Sequence, residues 1–199
     1  MGFFDFLNRN RSPSDPVESI KQRWLYLSNG LIKDNYSSKI NHYGARFSTH
    51  GFETWFLGLE QRLGQSLGRR LAHAALEHQE FFMKNSGVKI PSSRDPNNWT
   101  ENSLDWQTRG LGVYRKLEDE DEVRLLVENP ASSPICSGLL TSAWEIATAK
   151  RHRFVWSQSS QEGLVVSLNL DHKDLPNPSE QILLWPNSDS DSVNYELTE

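Results

Sequence analysis

From Phe52 to Phe82, apolar residues return every three or four positions: Phe52, Phe56, Leu59, Leu63, Leu67 and Leu71, then Ala74, Ala75, Phe81 and Phe82. No other stretch constrains the fold as strongly, because a period near 3.6 sustained this long fits one face of a helix. The spacing predicts a continuous helix near residues 54–84 at the centre of the domain. Gly58, Gly64 and Gly68 interrupt it, each costing about 1 kcal/mol relative to alanine in a helix interior. The expected compensation is close approach of another backbone, or of a ligand, where a side chain would clash. Gly64, Leu67, Gly68 and Leu71 are therefore candidates for holding a hydrophobic ligand or a protein partner, with Trp144 and Cys136 beside them on a later helix.

Local punctuation predicts the other elements. Asp15 as N-cap, Pro16 in the first turn, Glu18 three residues after the cap and Gly30 beyond the end mark a helix, with Val17, Ile20, Trp24 and Leu27 as its stripe. Residues 43–47 read as a short strand or a turn. Asp95-Pro96 opens a short helix reaching about Thr108. Residues 111–117 and 123–128 form a hairpin across the acidic run Glu118 to Glu122. Ser133-Pro134 starts a helix with Ile135, Leu139, Leu140, Ala143, Trp144 and Ala147 on one face, closed by Lys150 and Arg151. Strands at 153–157 and 164–170 complete the domain, and Ile182 to Trp185 packs back as an edge. The fold class is α+β or α/β: one long central helix and several shorter helices on a small, mainly antiparallel sheet. The expected organisation is a docking segment and linker over 1–14, one globular domain over 15–176, and an acidic irregular tail over 177–199.

A chain of 199 residues has length enough for a core without staples. One cysteine, Cys136, excludes an internal disulfide and a cysteine-rich zinc site and fits a reducing, cytoplasmic setting. The net charge of −5 argues against a dedicated nucleic-acid binder. No apolar run approaches the ~20 residues of a membrane span, and the first ten residues do not read as a secretion signal. Phe3, Phe6 and Leu7 share a helical face with Phe4 beside it. They are expected to dock on a partner or the cytoplasmic face of a membrane, or else to tuck into the protein's own core.

Chemistry-bearing patterns are sparse. Gly64-Gln65-Ser66-Leu67-Gly68 matches the nucleophile elbow G-x-S-x-G, with Asp105 and either His152 or His172 as partners. The elbow needs a strand leading into the serine, whereas the stripe places Ser66 inside a helix, so no catalytic residue is assigned. His73 and His78 stand about 140° apart on a helix. His73, Glu77 and Glu80 share a face that reads as solvated, so no metal site is assigned. Cys136 lies in a first helical turn, where the dipole lowers a thiol pKa, but a lone cysteine there is more often a small core residue. Lys150 to Arg153 reads as helix-end charge, and no cofactor is indicated.

Leu63 to Leu71 in a long helix, Gly110-Leu111-Gly112 opening a hairpin, Val123 to Asn129, and Cys136-Ser137-Gly138-Leu139-Leu140 on the next helix follow one another in an order that resembles the 4-vinyl reductase domain family, distant relatives of small TRAPP subunits. The resemblance implies an α/β domain, often dimeric, with an apolar cavity between helices and sheet. It also implies ligand-sensing or scaffold roles. Cysteines that family members often carry in the last hairpin are missing from 153–170. The combined expectation is a non-catalytic binding or scaffold protein for a hydrophobic ligand or protein partner, a homodimer included. The alternative is an accessory subunit of a membrane-associated complex.

Overall fold

The computed structural model describes residues 20, 22–28, 30–35, 43–44, 46–117, 122–159 and 163–171. The docking segment with Phe3, Phe4, Phe6 and Leu7, the helix start at Asp15, His172, the edge at 182–185, the acidic tail and both expected domain boundaries lie outside these residues.

The chain is α+β, as expected. A three-stranded antiparallel sheet, order β1-β2-β3, holds Trp24–Tyr26, Ile32–Asp34 and Tyr43–Gly44. Two helices follow, α1 (Thr49–Leu63) and α2 (Gly68–Ser86), then a 3-10 turn over Pro96–Asn98 and α3 (Thr100–Thr108). The second sheet holds β4 (Val113–Leu117), β5 (Val123–Glu128), β6 (His152–Ser159) and β7 (Gly163–Leu170), with α4 (Ser133–Thr148) between β5 and β6. Its order is β4-β5-β7-β6, antiparallel throughout.

Two sequence expectations are corrected. Residues 24–27 do not continue a helix: Trp24–Tyr26 pairs with Ile32–Asp34. Gly30 is not a helix end but a hairpin residue at φ 82°. Its N–H donates to the Leu27 carbonyl, and Leu27 N–H donates to Leu31. A three-residue connection with a left-handed glycine suits the twist of a hairpin, so strand pairing prevails over the helical spacing of Trp24 and Leu27.

The second correction concerns the long helix, which breaks at Gly64. That residue adopts φ 64°, and its N–H and that of Gln65 bond back to Gln61 and Glu60 in a Schellman closure. The Glu60 carboxylate then accepts from the backbone N–H groups of Leu67 (2.6 Å) and Gly68 (3.1 Å), capping the start of α2. The apolar stripe runs through both helices, but the left-handed glycine and the forward-reaching Glu60 redirect the axis between them.

The central helix is α4. Every residue from Cys136 to Glu145 is buried, as for a helix enclosed on all sides. It packs on α2 and on β6 and β7. The tightest contact is at Gly138, where a Cβ would overlap the carbonyl oxygen of Ala72 and stand 3.0 Å from the Leu76 nitrogen. Leu140, Trp144, Leu125, Val127, Leu164 and Val166 are all essentially inaccessible and fill the space between helix and sheet.

Candidate functional site

Helix α1 departs from the pattern of the other helices, because none of its residues is buried. It is well formed locally: Ser48 caps it by accepting from Gly51 N–H at 3.2 Å, and the Schellman closure ends it. Phe52, Trp55, Phe56, Leu59 and Leu63 stand at i, i+3, i+4, i+7 and i+11, one continuous apolar face. The Phe52 and Phe56 rings stack at 6.0 Å and Trp55 lies 5.8 Å from Phe52. The three rings shield one another, yet Trp55 stays 61% exposed and Leu63 53%.

The residues expected to form a binding face on a continuous helix do not come together as one. A Cβ at Gly64 would meet nothing within 4 Å, so glycine is required there by backbone conformation and not by close approach. At Gly68 a Cβ would make ordinary 3.9 Å contacts with Ser66 and Trp156. Leu67 and Leu71 are half-buried at the start of α2. Trp144 and Cys136 belong to the core. Burial pushes the Cys136 thiol up, against backbone N–H groups and Arg109 that pull it down, and its Sγ donates to the Leu111 carbonyl at 3.4 Å. The close approach expected at Gly64 and Gly68 is found instead at Gly138.

Ser66 lies in the turn between α1 and α2, not inside a helix, and donates to Glu60 Oε1 at 3.2 Å. A helix rather than a strand leads into it. Its expected partners are engaged elsewhere: Asp105 binds Arg23 and Arg109, and His152 accepts from Trp144. His73 rests on the Phe154 ring at 5.3 Å while Glu80 pairs with Arg151. Among the described residues no group of metal-ligating side chains gathers.

Two polar clusters that the sequence reading missed do form. At the joint between α4 and β6, Glu145 accepts from His152 N–H at 2.6 Å and from Arg151 Nη1 at 2.7 Å. Arg151 continues to Glu80 on α2. Desolvation pulls the Arg151 pKa down, but its bonds to Glu80 and Glu145 outweigh that and raise it. Desolvation raises the Glu145 pKa, opposed by the His152 N–H and Arg151 and helped by the charge of Glu80. The His152 imidazole bonds the Lys150 carbonyl through Nδ1 at 2.9 Å and takes the Trp144 indole N–H at Nε2, 3.3 Å. That pair of bonds requires the neutral Nδ1–H tautomer. Burial lowers the His152 pKa in the same sense, helped by the charges of Lys150 and Arg94 and opposed by the Lys150 carbonyl.

The second cluster lies among the first sheet, α2 and α3. Arg23 bonds Asp34 through Nε at 2.8 Å and pairs with Asp105, all three fully buried or nearly so. Its guanidinium lies 4.6 Å from the Trp24 ring centroid and 4.8 Å from that of Phe82. Arg109 pairs with Asp105, lies 4.9 Å from the Phe82 centroid, and donates to Gln79 at 3.4 Å. Burial lowers the Arg109 pKa, and Asp105 opposes the shift. On the same face of α3, Asn102 donates to the Tyr114 hydroxyl at 2.7 Å, whose pKa burial raises. Around α2 and α3 five buried atoms lack a hydrogen-bond partner, Gln79 Nε2, Asn102 Oδ1, Asp105 Oδ2, Trp106 Nε1 and Arg109 Nε, as does Trp24 Nε1 of β1 beside Arg23. Leaving each unmatched costs about 1–3 kcal/mol, a total comparable with the whole stability of an ordinary domain.

Among the described residues no helix is long and apolar enough to cross a membrane. Compared with known proteins, the chain matches no family model and no curated protein.

Proposed function

We propose that the protein is a non-catalytic docking or scaffold protein that presents α1 as a recognition helix to an apolar groove on a protein partner. The observation that carries the reading is the apolar face of Phe52, Trp55, Phe56, Leu59 and Leu63, none of them buried and Trp55 and Leu63 more than half exposed, on a helix with no buried residue. Anchors at i, i+3, i+4 and i+7 are how an amphipathic helix engages a groove, and aromatic anchors dominate such interfaces. The polar side of α1 carries Glu53 and Glu60 against Arg62, so it lacks the basic excess that draws a helix to an anionic membrane. The buried lone cysteine is compatible with a reducing, cytoplasmic setting. The resemblance to the 4-vinyl reductase domain family enters here as a further proposal, supported by the order α2, hairpin, α4, hairpin.

Native mass spectrometry of the purified full chain tests the reading. A bound protein or a second copy is expected. The double variant Trp55→Ser/Phe56→Ser should lose it while the thermal midpoint stays within about 2 °C, since nothing buried is removed. A wild-type monomer with nothing bound, or association unchanged in the variant, would overturn the proposal.

A further inference from the structure

We propose that Gln79, Asn102, Asp105, Trp106 and Arg109 form an internal binding site for a small uncharged guest that both donates and accepts hydrogen bonds. The inference is independent of α1 and of the docking function.

The α3 residues stand at i, i+3, i+4 and i+7, so they form one stripe. An apolar stripe is what a core normally receives; this one is polar, with Asn102, Asp105 and Trp106 fully buried. Gln79 of α2, also fully buried, faces it and is joined to it through Arg109. The unmatched atoms divide into donors and acceptors. Gln79 Nε2, Trp106 Nε1 and Arg109 Nε each offer an N–H; Asn102 Oδ1 and Asp105 Oδ2 each offer a lone pair. Asp105 Oδ2 meets Arg109 Nη2 at 2.5 Å in an ion pair and keeps a further lone pair open.

Charge selects the guest's class. Among the described residues Arg23 and Arg109 offset Asp34 and Asp105, so an ion would add a buried charge that none of them compensates. A guest able to take three N–H groups and give two of its own matches the set, and water is the smallest such molecule, typically making about three bonds when buried. A small amide or polyol retained from the cell has the same chemistry. Arg109 has the only side chain of the five with appreciable exposure, 17%, and marks the way in.

Two measurements on the full chain separate these sources. Native mass spectrometry under gentle conditions reads a retained solute as a mass excess above the bare chain. Water-to-amide cross-relaxation in NMR reads a long-lived water near the amides of residues 102–109. Tyr114→Phe controls for relay through the neighbouring hydroxyl: a signal from the guest survives it. Gln79→Met and Trp106→Phe each remove donors at nearly constant shape, and whichever signal the wild type gives should weaken at least several-fold in both. A wild type showing neither a mass excess nor a long-lived water overturns the proposal, and so does a signal that vanishes in Tyr114→Phe or that persists unchanged in either Gln79→Met or Trp106→Phe.

Discussion

At the scale of single residues, three glycines show how differently the absence of a side chain is used. Gly138 is required by space, since the Ala72 carbonyl occupies the position of its Cβ. Alanine there should cost about 3 kcal/mol or more, because two helix backbones must separate. Gly64 is required by conformation, and Gly64→Ala should cost about 1–2 kcal/mol for a left-handed alanine with open space around it. Gly68 is required by neither. Gly68→Ala should fall within about 0.5 kcal/mol of wild type. Urea midpoints of the three variants check the order, and a Gly68 variant as damaged as Gly138→Ala would contradict it. The sequence marks Gly64 and Gly68 as alike because both fall on the stripe. The distinction depends on a carbonyl 66 positions away from Gly138 and on a backbone angle, neither of which periodicity encodes.

At the scale of elements, what could be read locally was read well. The span of α4, the hairpin of β4 and β5 and the final strand pair all rest on signals within a few residues. The helix expected to run from Asp95-Pro96 to Thr108 divides instead: Asp95 accepts from Asn97 N–H at 3.0 Å and caps only the 3-10 turn, and α3 starts anew at Thr100. Trp24 and Leu27 fit both a helical stripe and a strand, and only pairing with 32–34 decides between them. The joint between α4 and β6 carries a pH dependence with a definite sign. His152 is held neutral by the Trp144 and Lys150 bonds, and its folded pKa lies below the ordinary 6.5. Its contribution is therefore complete above about pH 6.5. It is lost as pH falls from there through the depressed folded value. Glu145 acts oppositely: its raised pKa is a cost above that value, relieved as the pH falls toward 4.5. His152→Gln should flatten the loss of stability just below pH 6.5 and leave the Glu145 effect in place. Denaturant midpoints from pH 7.5 to 5 check this, and an unchanged slope would show that His152 does not titrate on unfolding.

At the scale of the whole molecule, Arg23 ties the first sheet to the body. Its partner on α3, Asp105, is 82 positions away, and both ends are buried. Arg23→Met should cost about 3–5 kcal/mol by leaving Asp34 and Asp105 as buried charges short of a partner. It should also raise hydrogen exchange in 24–34 before the four-stranded sheet is affected; uniform loss of protection would place the tie elsewhere. This network was illegible in the sequence for a plain reason. Its members come from residues 23, 34, 79, 102, 105 and 109, and on its own each reads as a surface polar residue, apart from Asp105, which the elbow pattern set beside Ser66 instead. Only the fold makes them neighbours.

An exposed α1 also has a kinetic meaning. A helix of 15 residues with nothing buried holds itself together by its caps and its own rings, near the length at which isolated helices are marginal in water. It can therefore open without the body unfolding. Proteases should reach the bonds of 49–63 first, and the rate of that cleavage becomes a gauge of occupancy. A bound partner slows the cut by the fraction of time it holds the helix closed, so limited digestion reads association even when the complex is too short-lived to isolate.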